Sequence, residues 1–154
     1  MNIRDLLTKE TIVADLLSTD KKGVLQELSQ KIGVAIGVAP DYLARLLSDR
    51  EQLGTTGIGH GIAIPHTKMQ SITDVTIGAG ISHTGVDFDA IDGKPVYIFF
   101  VLVVPEETGG AVHLELLAEL SQILRSETVR KKLLAAGSAD ELIDIIANAE
   151  KHLE

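Results

Sequence analysis

The sequence contains no cysteine. A disulfide framework, a thiolate metal site and a cysteine nucleophile are therefore excluded. Aromatic residues make up only 3%, too few for the stacking platforms that hold single-stranded nucleic acid. Positive charge is also short. Fourteen lysines and arginines against 22 aspartates and glutamates leave a formal charge of −8, the wrong sign for a phosphate-backbone binder. The longest apolar run, Val96 to Val104, stops at Pro105, well short of the roughly 20 residues a membrane-crossing helix needs. The opening Met1-Asn2-Ile3-Arg4-Asp5 lacks the basic segment and apolar core of a secretory signal. The chain is expected to be cytoplasmic, with no membrane insertion and no nucleic acid partner. No His-Glu-x-x-His pair and no Walker-type Gly-Lys-Ser or Gly-Lys-Thr occurs. Gly57-Ile58-Gly59-His60-Gly61 has the look of a dinucleotide loop, but that motif opens a helix, and here an apolar triplet and a proline follow.

What is present is an ordinary globular composition, 45% hydrophobic and 23% charged over 154 residues. That is one domain's length, able to bury roughly two-thirds of its unfolded surface. The reading is a single domain over 1–150 with 151–154 as a tail. Apolar residues at helical spacing predict a helix from Lys22 to Ile36, capped by Thr19 or Asp20 and ended by Gly37. Pro40-Asp41 opens a second helix to about Gln52. Four glycines between 54 and 61 then forbid a helix interior. Ile62-Ala63-Ile64 is a short strand, kept extended by Pro65. Val75 to Ile81 alternates as a half-buried strand does. Asp92-Gly93 marks a turn, and the Val96–Val104 run suits a central strand covered on both faces. Helices follow over Ala111–Leu124 and Thr128–Ala136, and after the capping box Ser138-Ala139-Asp140-Glu141, with Leu142, Ile145, Ile146 and Ala149 behind it. Helices, then strands, then helices predict an α/β fold, a mixed β-sheet covered by helices on both sides.

Among five histidines, His152 lies in the tail and His83 in a predicted loop, Ser82-His83-Thr84-Gly85. His66 stands apart. It follows a glycine-rich segment, a short strand and a proline whose φ is locked near −65°. The glycines allow close approach and offer amide donors to an anion, with hydroxyls from Thr55 and Thr56 and the amide of Gly57 beside them. A neutral imidazole, of ordinary pKa about 6.5, has a lone pair at pH 7 and can attack phosphorus. The alternative is a turn with an exposed imidazole. Arg50 ends the preceding helix, where its guanidinium can neutralise phosphoryl oxygens; beside Asp49 and Glu51 the residues alone favour a surface arginine. His113 falls on the apolar face of its helix with Leu117, Leu120 and Leu124. The residues alone favour a core histidine there, although the first turn of a helix also presents a positive dipole end to an anion.

From Glu51 to His66 the sequence resembles the active-site signature of the type 2 IIA domains of the bacterial phosphotransferase system. An acidic residue, Glu51, is followed after six positions by Ile58-Gly59, and after two more by Ile62-Ala63-Ile64-Pro65-His66. The signature closes on a small residue where this chain has Thr67. The similarity runs along nearly the whole chain. Thr55 to Gly61, Phe88-Asp89-Ala90-Ile91-Asp92, Leu102 to Pro105, His113-Leu114 and Ser138 to Leu142 look most like the nitrogen-regulatory branch, which often has Asn at the place of His60 and Gly at that of Thr67.

The resemblance implies that His66 is phosphorylated and that Arg50 and His113 assist it. It implies a phosphocarrier without cofactor or metal, charged by an HPr-like donor. Its phosphorylation state would regulate partners such as potassium transport systems or sensor kinases, since a phosphoryl group adds nearly two negative charges to a docking surface. A second reading is a transport IIA subunit of the fructose or mannitol type, passing the group to a IIB domain for sugar uptake. The lack of a fused IIB or membrane domain leans against it. A third, of another class, is a metalloprotein ligated by His60, His66 and His113.

Overall fold

The chain opens with a strand that the periodicity did not announce. After a four-residue turn of helix, α1 (Ile3–Leu6), residues Leu7–Val13 form β1. Two helices follow, α2 (Lys21–Ile36) and α3 (Pro40–Gln52), and then a run of short strands, β2 (Gly57–Gly59), β3 (Ile62–Ala63) and β4 (His66–Met69). Two long strands, β5 (Thr76–Val86) and β6 (Val96–Pro105), complete the sheet, and α4 (Gly110–Leu124), α5 (Glu127–Ala135) and α6 (Ala139–Lys151) close the chain. This computed structural model describes residues 2–108 and 110–153. The predicted tail therefore includes Glu154, outside the described residues, while Lys151 is still helical.

The sheet order is β1-β5-β6-β3-β2, with β4 also paired to β6. Pairing is parallel for β1/β5, β3/β6 and β4/β6 and antiparallel for β5/β6 and β2/β3, so the sheet is mixed. Side chains of β6 alternate between two cores. Ile98, Phe100, Leu102 and Val104 join Ile3, Leu116, Leu120, Leu133 and Ile146 on the face covered by α1, α4, α5 and α6. Phe99, Val101 and Val103 join Val24, Leu28, Ile32, Leu43 and Leu47 under α2 and α3. The α/β architecture with helices on both sides is as predicted. On α4 the buried stripe runs through Leu116 rather than Leu117.

The capping residues act as the sequence suggested at three places. Asp20 accepts from the Gly23 amide, Gly37 ends α2 at φ 74°, and Ser138 accepts from the Glu141 amide. The capping box is incomplete, because Glu141 turns back to the Gly137 amide instead of that of Ser138.

Two expectations need correction. The strand at Val75–Ile81 is not half-buried: from Ile77 through Ser82 every residue is buried, because glycines stand where the second face would carry side chains. A Cβ at Gly78 would lie 2.4 Å from Ile32 Cδ1 and 2.8 Å from the Thr11 carbonyl oxygen. The missing side chains let α2 settle onto the sheet. His83 is in β5 rather than a loop, with Nδ1 2.8 Å from Asp15 Oδ1.

The glycine-rich segment is a β-hairpin. Gly59 pairs with Ile62, and His60 and Gly61 between them have φ of 57° and 77°. That is the two-residue turn whose twist matches the strands, with both central residues left-handed. Gly61 meets this need without strain; His60 does not.

Two outcomes follow for stability. Gly78→Ala should destabilise the fold by about 1–3 kcal/mol, read as a lower urea midpoint, because the Thr11 backbone cannot yield as a side chain can. His60→Asn should raise the midpoint by about 0.5 kcal/mol in stability, since asparagine tolerates the left-handed position. A lower midpoint for His60→Asn would mean that the imidazole makes a compensating contact.

Candidate functional site

Residues 62–69 run along one side of β6 as two strands. Ile62 and Ala63 pair with Ile98 and Phe99, and His66 resumes the ladder opposite Leu102. The break falls at Ile64-Pro65. Proline has no amide hydrogen for the ladder, and the Ile64 amide turns to the Thr56 carbonyl, 3.0 Å away. The Pro65 carbonyl still accepts from the Leu102 amide at 3.0 Å. At this kink the Ile64 carbonyl meets His66 Nδ1 at 2.8 Å.

That contact sets the tautomer. A carbonyl oxygen only accepts, so Nδ1 carries the proton. The other ring nitrogen, Nε2, lies 3.2 Å from Arg50 Nε, a group that only donates. Its lone pair is therefore available. Arg50 reaches His66 from the last turn of α3, and its Nη1 is tethered to the Gly54 carbonyl at 2.9 Å. His113 comes from the other face of the sheet, in the first turn of α4. The two imidazole rings meet edge to face, 4.9 Å between centroids and 87° between planes. His113 is buried, and among the described residues its Nδ1 has no hydrogen-bond partner. Two helices from opposite sides of the sheet thus converge on the start of β4, and Arg50, His66 and His113 come together there.

Both imidazoles are held below the ordinary value. For His66 the main cause is burial, opposed by the Ile64 carbonyl, with Arg50 lowering and Glu51 raising. For His113 burial leads again, followed by the charges of His66, Lys68 and Arg50. A partly desolvated imidazole beside a guanidinium stays neutral at pH 7. Lys68, two residues along β4, adds positive charge to this end of a chain that is acidic overall. Nothing in the local sequence singled it out.

The other predicted donors are placed differently. The Thr55 hydroxyl donates to the Phe88 carbonyl at 3.1 Å and accepts from the Gly57 amide at 3.0 Å. The Thr56 hydroxyl and amide both donate to the Glu51 carboxylate. These groups brace the hairpin, and contact with an anion would require them to leave their present partners. The cavity beside these glycines does not open on His66 either. A cavity of about 720 Å³ is lined by Ile58, Gly59, His60, Gly61, Asp92 and Tyr97 among others, and His66 is not part of it. His60 lines that cavity. No group of three or more metal-ligating side chains occurs among the described residues. His152 is exposed, with Nδ1 2.7 Å from the Asn148 carbonyl.

A partly buried neutral imidazole, with one nitrogen fixed by a carbonyl and the other facing a guanidinium, can act as a nucleophile toward an anionic electrophile. Comparison with known proteins gives this geometry a context. Residues 5–149 match the family model described as "Phosphoenolpyruvate-dependent sugar phosphotransferase system, EIIA 2". The chain is 40% identical over 98% of its length to a fructose-specific EIIABC component of Bacillus subtilis, of which it spans about a quarter, 24%. It is 36% identical to a nitrogen regulatory protein of Bradyrhizobium diazoefficiens, covering 96% of this chain and 95% of that one. The crystal structure of the nitrogen regulatory protein IIA-Ntr from Neisseria meningitidis superposes with a TM-score of 0.87 at 33% identity, over 94% of this chain and 98% of that one.

The depressed imidazoles have a consequence for stability. Their unfolded-state value is 6.5, and the folded values lie lower, so the unfolded chain binds protons first. Their contribution is complete above about pH 6.5 and is lost as pH falls from there through the folded values. The melting temperature should drop on acidification from about pH 7 to about pH 5, and less steeply in His113→Gln. Parallel curves for the two proteins would remove His113 from this effect.

Proposed function

The chain belongs to the EIIA type 2 family of the phosphoenolpyruvate-dependent sugar phosphotransferase system, and from that membership we propose that it is a phosphocarrier whose acceptor atom is Nε2 of His66. The observation that carries the reading is the 2.8 Å contact between Nδ1 and the Ile64 carbonyl, an acceptor that calls for the proton on Nδ1. It leaves Nε2 with a lone pair and no proton to lose.

The donor is an HPr-like protein carrying its own phosphohistidine. The Nε2 lone pair forms the new N–P bond while the donor's N–P bond breaks and its electron pair returns to the donor imidazole. No proton moves. Arg50 transfers its Nε–H bond from Nε2 to a phosphoryl oxygen, where the charge-assisted contact is stronger. His113, neutral and in ring contact with His66, shapes the pocket for the incoming group, and Lys68 adds to the positive field. Thr55, Thr56 and Gly57 support the site through the hairpin.

The readout is regulatory. A phosphoryl group changes the local charge by nearly two units, enough to switch a docking surface between partners such as potassium transport or sensor kinase systems in the cytoplasm. A second reading is a transport subunit that hands the group to a IIB domain and then to sugar. The 40% identity to the fructose-specific component favours it; the 36% identity over nearly the full length of a nitrogen regulatory protein favours the first.

Incubation with phosphoenolpyruvate, the general phosphotransferase enzyme and the HPr-like donor should give an acid-labile, base-stable mass increment on His66. His66→Ala should take none; an increment of equal size in that variant would end the assignment. Arg50→Ala should slow transfer on the order of 100-fold with little change in melting temperature. An unaltered rate removes it from the site. Addition of a fructose-type IIB domain and fructose separates the two readings, since only the transport subunit yields sugar phosphate.

A further inference from the structure

Glu51 opens the signature, yet its side chain does not touch His66. It is buried, with 8% of its surface exposed. Its Oε2 lies 2.9 Å from Lys21 Nζ, and its carboxylate accepts from the amide and hydroxyl of Thr56. Lys21 comes from the first turn of α2. It sits 4.6 Å above the centre of the Phe88 ring and donates to the Phe88 carbonyl at 3.3 Å. Phe88 also accepts from the Thr55 hydroxyl. Lys21 is half-buried, and its Nζ also lies 3.8 Å from the exposed Asp89 carboxylate, so one ion pair joins the start of α2, the end of α3, the entry to the hairpin and the 87–89 segment.

Two chains of contacts lead from this pair to the imidazole. Along the backbone, Glu51 is next to Arg50, whose guanidinium holds Nε2. Through space, Glu51 holds Thr56, the Thr56 carbonyl holds the Ile64 amide, and the Ile64 carbonyl holds Nδ1. A Glu51 carboxylate without its cation would favour the protonated form of His66, the direction in which its charge already acts, and would repel an arriving phosphoryl group. Lys21 neutralises it in place.

We propose that Lys21 and Glu51 are positioning residues for phosphoryl transfer: their ion pair neutralises the carboxylate behind the site and, through Thr56, fixes the carbonyl that sets the imidazole tautomer. The proposal rests on the phosphocarrier reading of His66 for its rate effects, but its electrostatic consequence can be read without any donor. Among the described residues, Arg50 and Glu51 from α3 act on His66, His113 from α4 meets its ring, Lys68 from β4 acts on His113, and Asp89 lies 3.8 Å from the Lys21 ammonium. Only the Lys21–Glu51 pair changes in the variants below.

In full-length protein, the His66 ring is followed by nitrogen-detected nuclear magnetic resonance through a pH titration. Lys21→Met removes the positive charge that offsets Glu51, so the titration midpoint of His66 should rise by about half a pH unit. Glu51→Gln removes the negative charge, so the midpoint should fall by a similar amount. The double variant should return near the wild-type value, and so should Lys21→Arg. A merely structural pair would give shifts of the same sign in both single variants, or none. In the donor assay Lys21→Met should lower the maximal transfer rate roughly tenfold with the half-saturating donor concentration unchanged, and Lys21→Arg should recover most of it. If wild-type protein takes no phosphoryl group, the functional reading falls while the titrations still decide the positioning. Midpoints that do not move in either single variant, or that move together, overturn the proposal.

Discussion

The hydrogen bond from His66 Nδ1 to the Ile64 carbonyl is the contact on which the site depends. It links an imidazole to a backbone group only two residues away, so its geometry is decided by how the chain turns at Ile64-Pro65. That turn exists because Pro65 has no amide hydrogen to extend the ladder along β6. The strand is interrupted for two residues, the Ile64 amide bonds to Thr56, and pairing resumes at His66. With Nδ1 protonated and held, the lone pair is on Nε2, facing Arg50. Loss of the carbonyl contact would free the ring to rotate and to exchange tautomers.

The electrostatics of the site run against those of the chain. Formal charge is −8, but Arg50 and Lys68 stand around the two imidazoles. The Glu51 carboxylate, whose charge acts on His66, is paired with Lys21 and hydrogen-bonded to Thr56. Burial favours the neutral form of both histidines. The same desolvation strengthens whatever the guanidinium contributes when charge arrives. The fold supplies this by bringing α3 and α4, which lie on opposite faces of the sheet, to one end of β4.

The relatives carry two kinds of name, nitrogen regulatory and fructose-specific, on one architecture. A shared architecture does not by itself choose between the activities grafted on it. In the two readings proposed above, the same transfer of phosphorus to nitrogen would come first, so His66, Arg50 and His113 would have the same part in both. The difference belongs to the surface that the next partner meets.

Much of the fold was legible in the residues. Periodic apolar spacing marked α2, α3, α4 and α6, and caps at Asp20, Gly37 and Ser138 marked their ends. The unbroken run of β6 marked the centre of the sheet. The proline before His66 marked a fixed approach to an imidazole, and the spacing from Glu51 to His66 pointed to the family. Less visible were β1, whose burial pattern is irregular, and the two-sided burial of β5, where Gly78 and Gly80 bury by their lack of a side chain. Thr55 and Thr56 looked like anion donors because sequence shows which groups can donate, not where they are spent. Arg50 and His113 were ambiguous for a related reason: a helix face tells which side is apolar, not what stands opposite. Local preferences of helix, turn and proline act over a few residues, and these the sequence determined alone. The meeting of Lys21 with Glu51, of Arg50 with Nε2 and of two imidazoles across a sheet joins residues 16 to 47 positions apart. Only the packing of α2, α3 and α4 against the two faces of β6 and its neighbours decided those contacts.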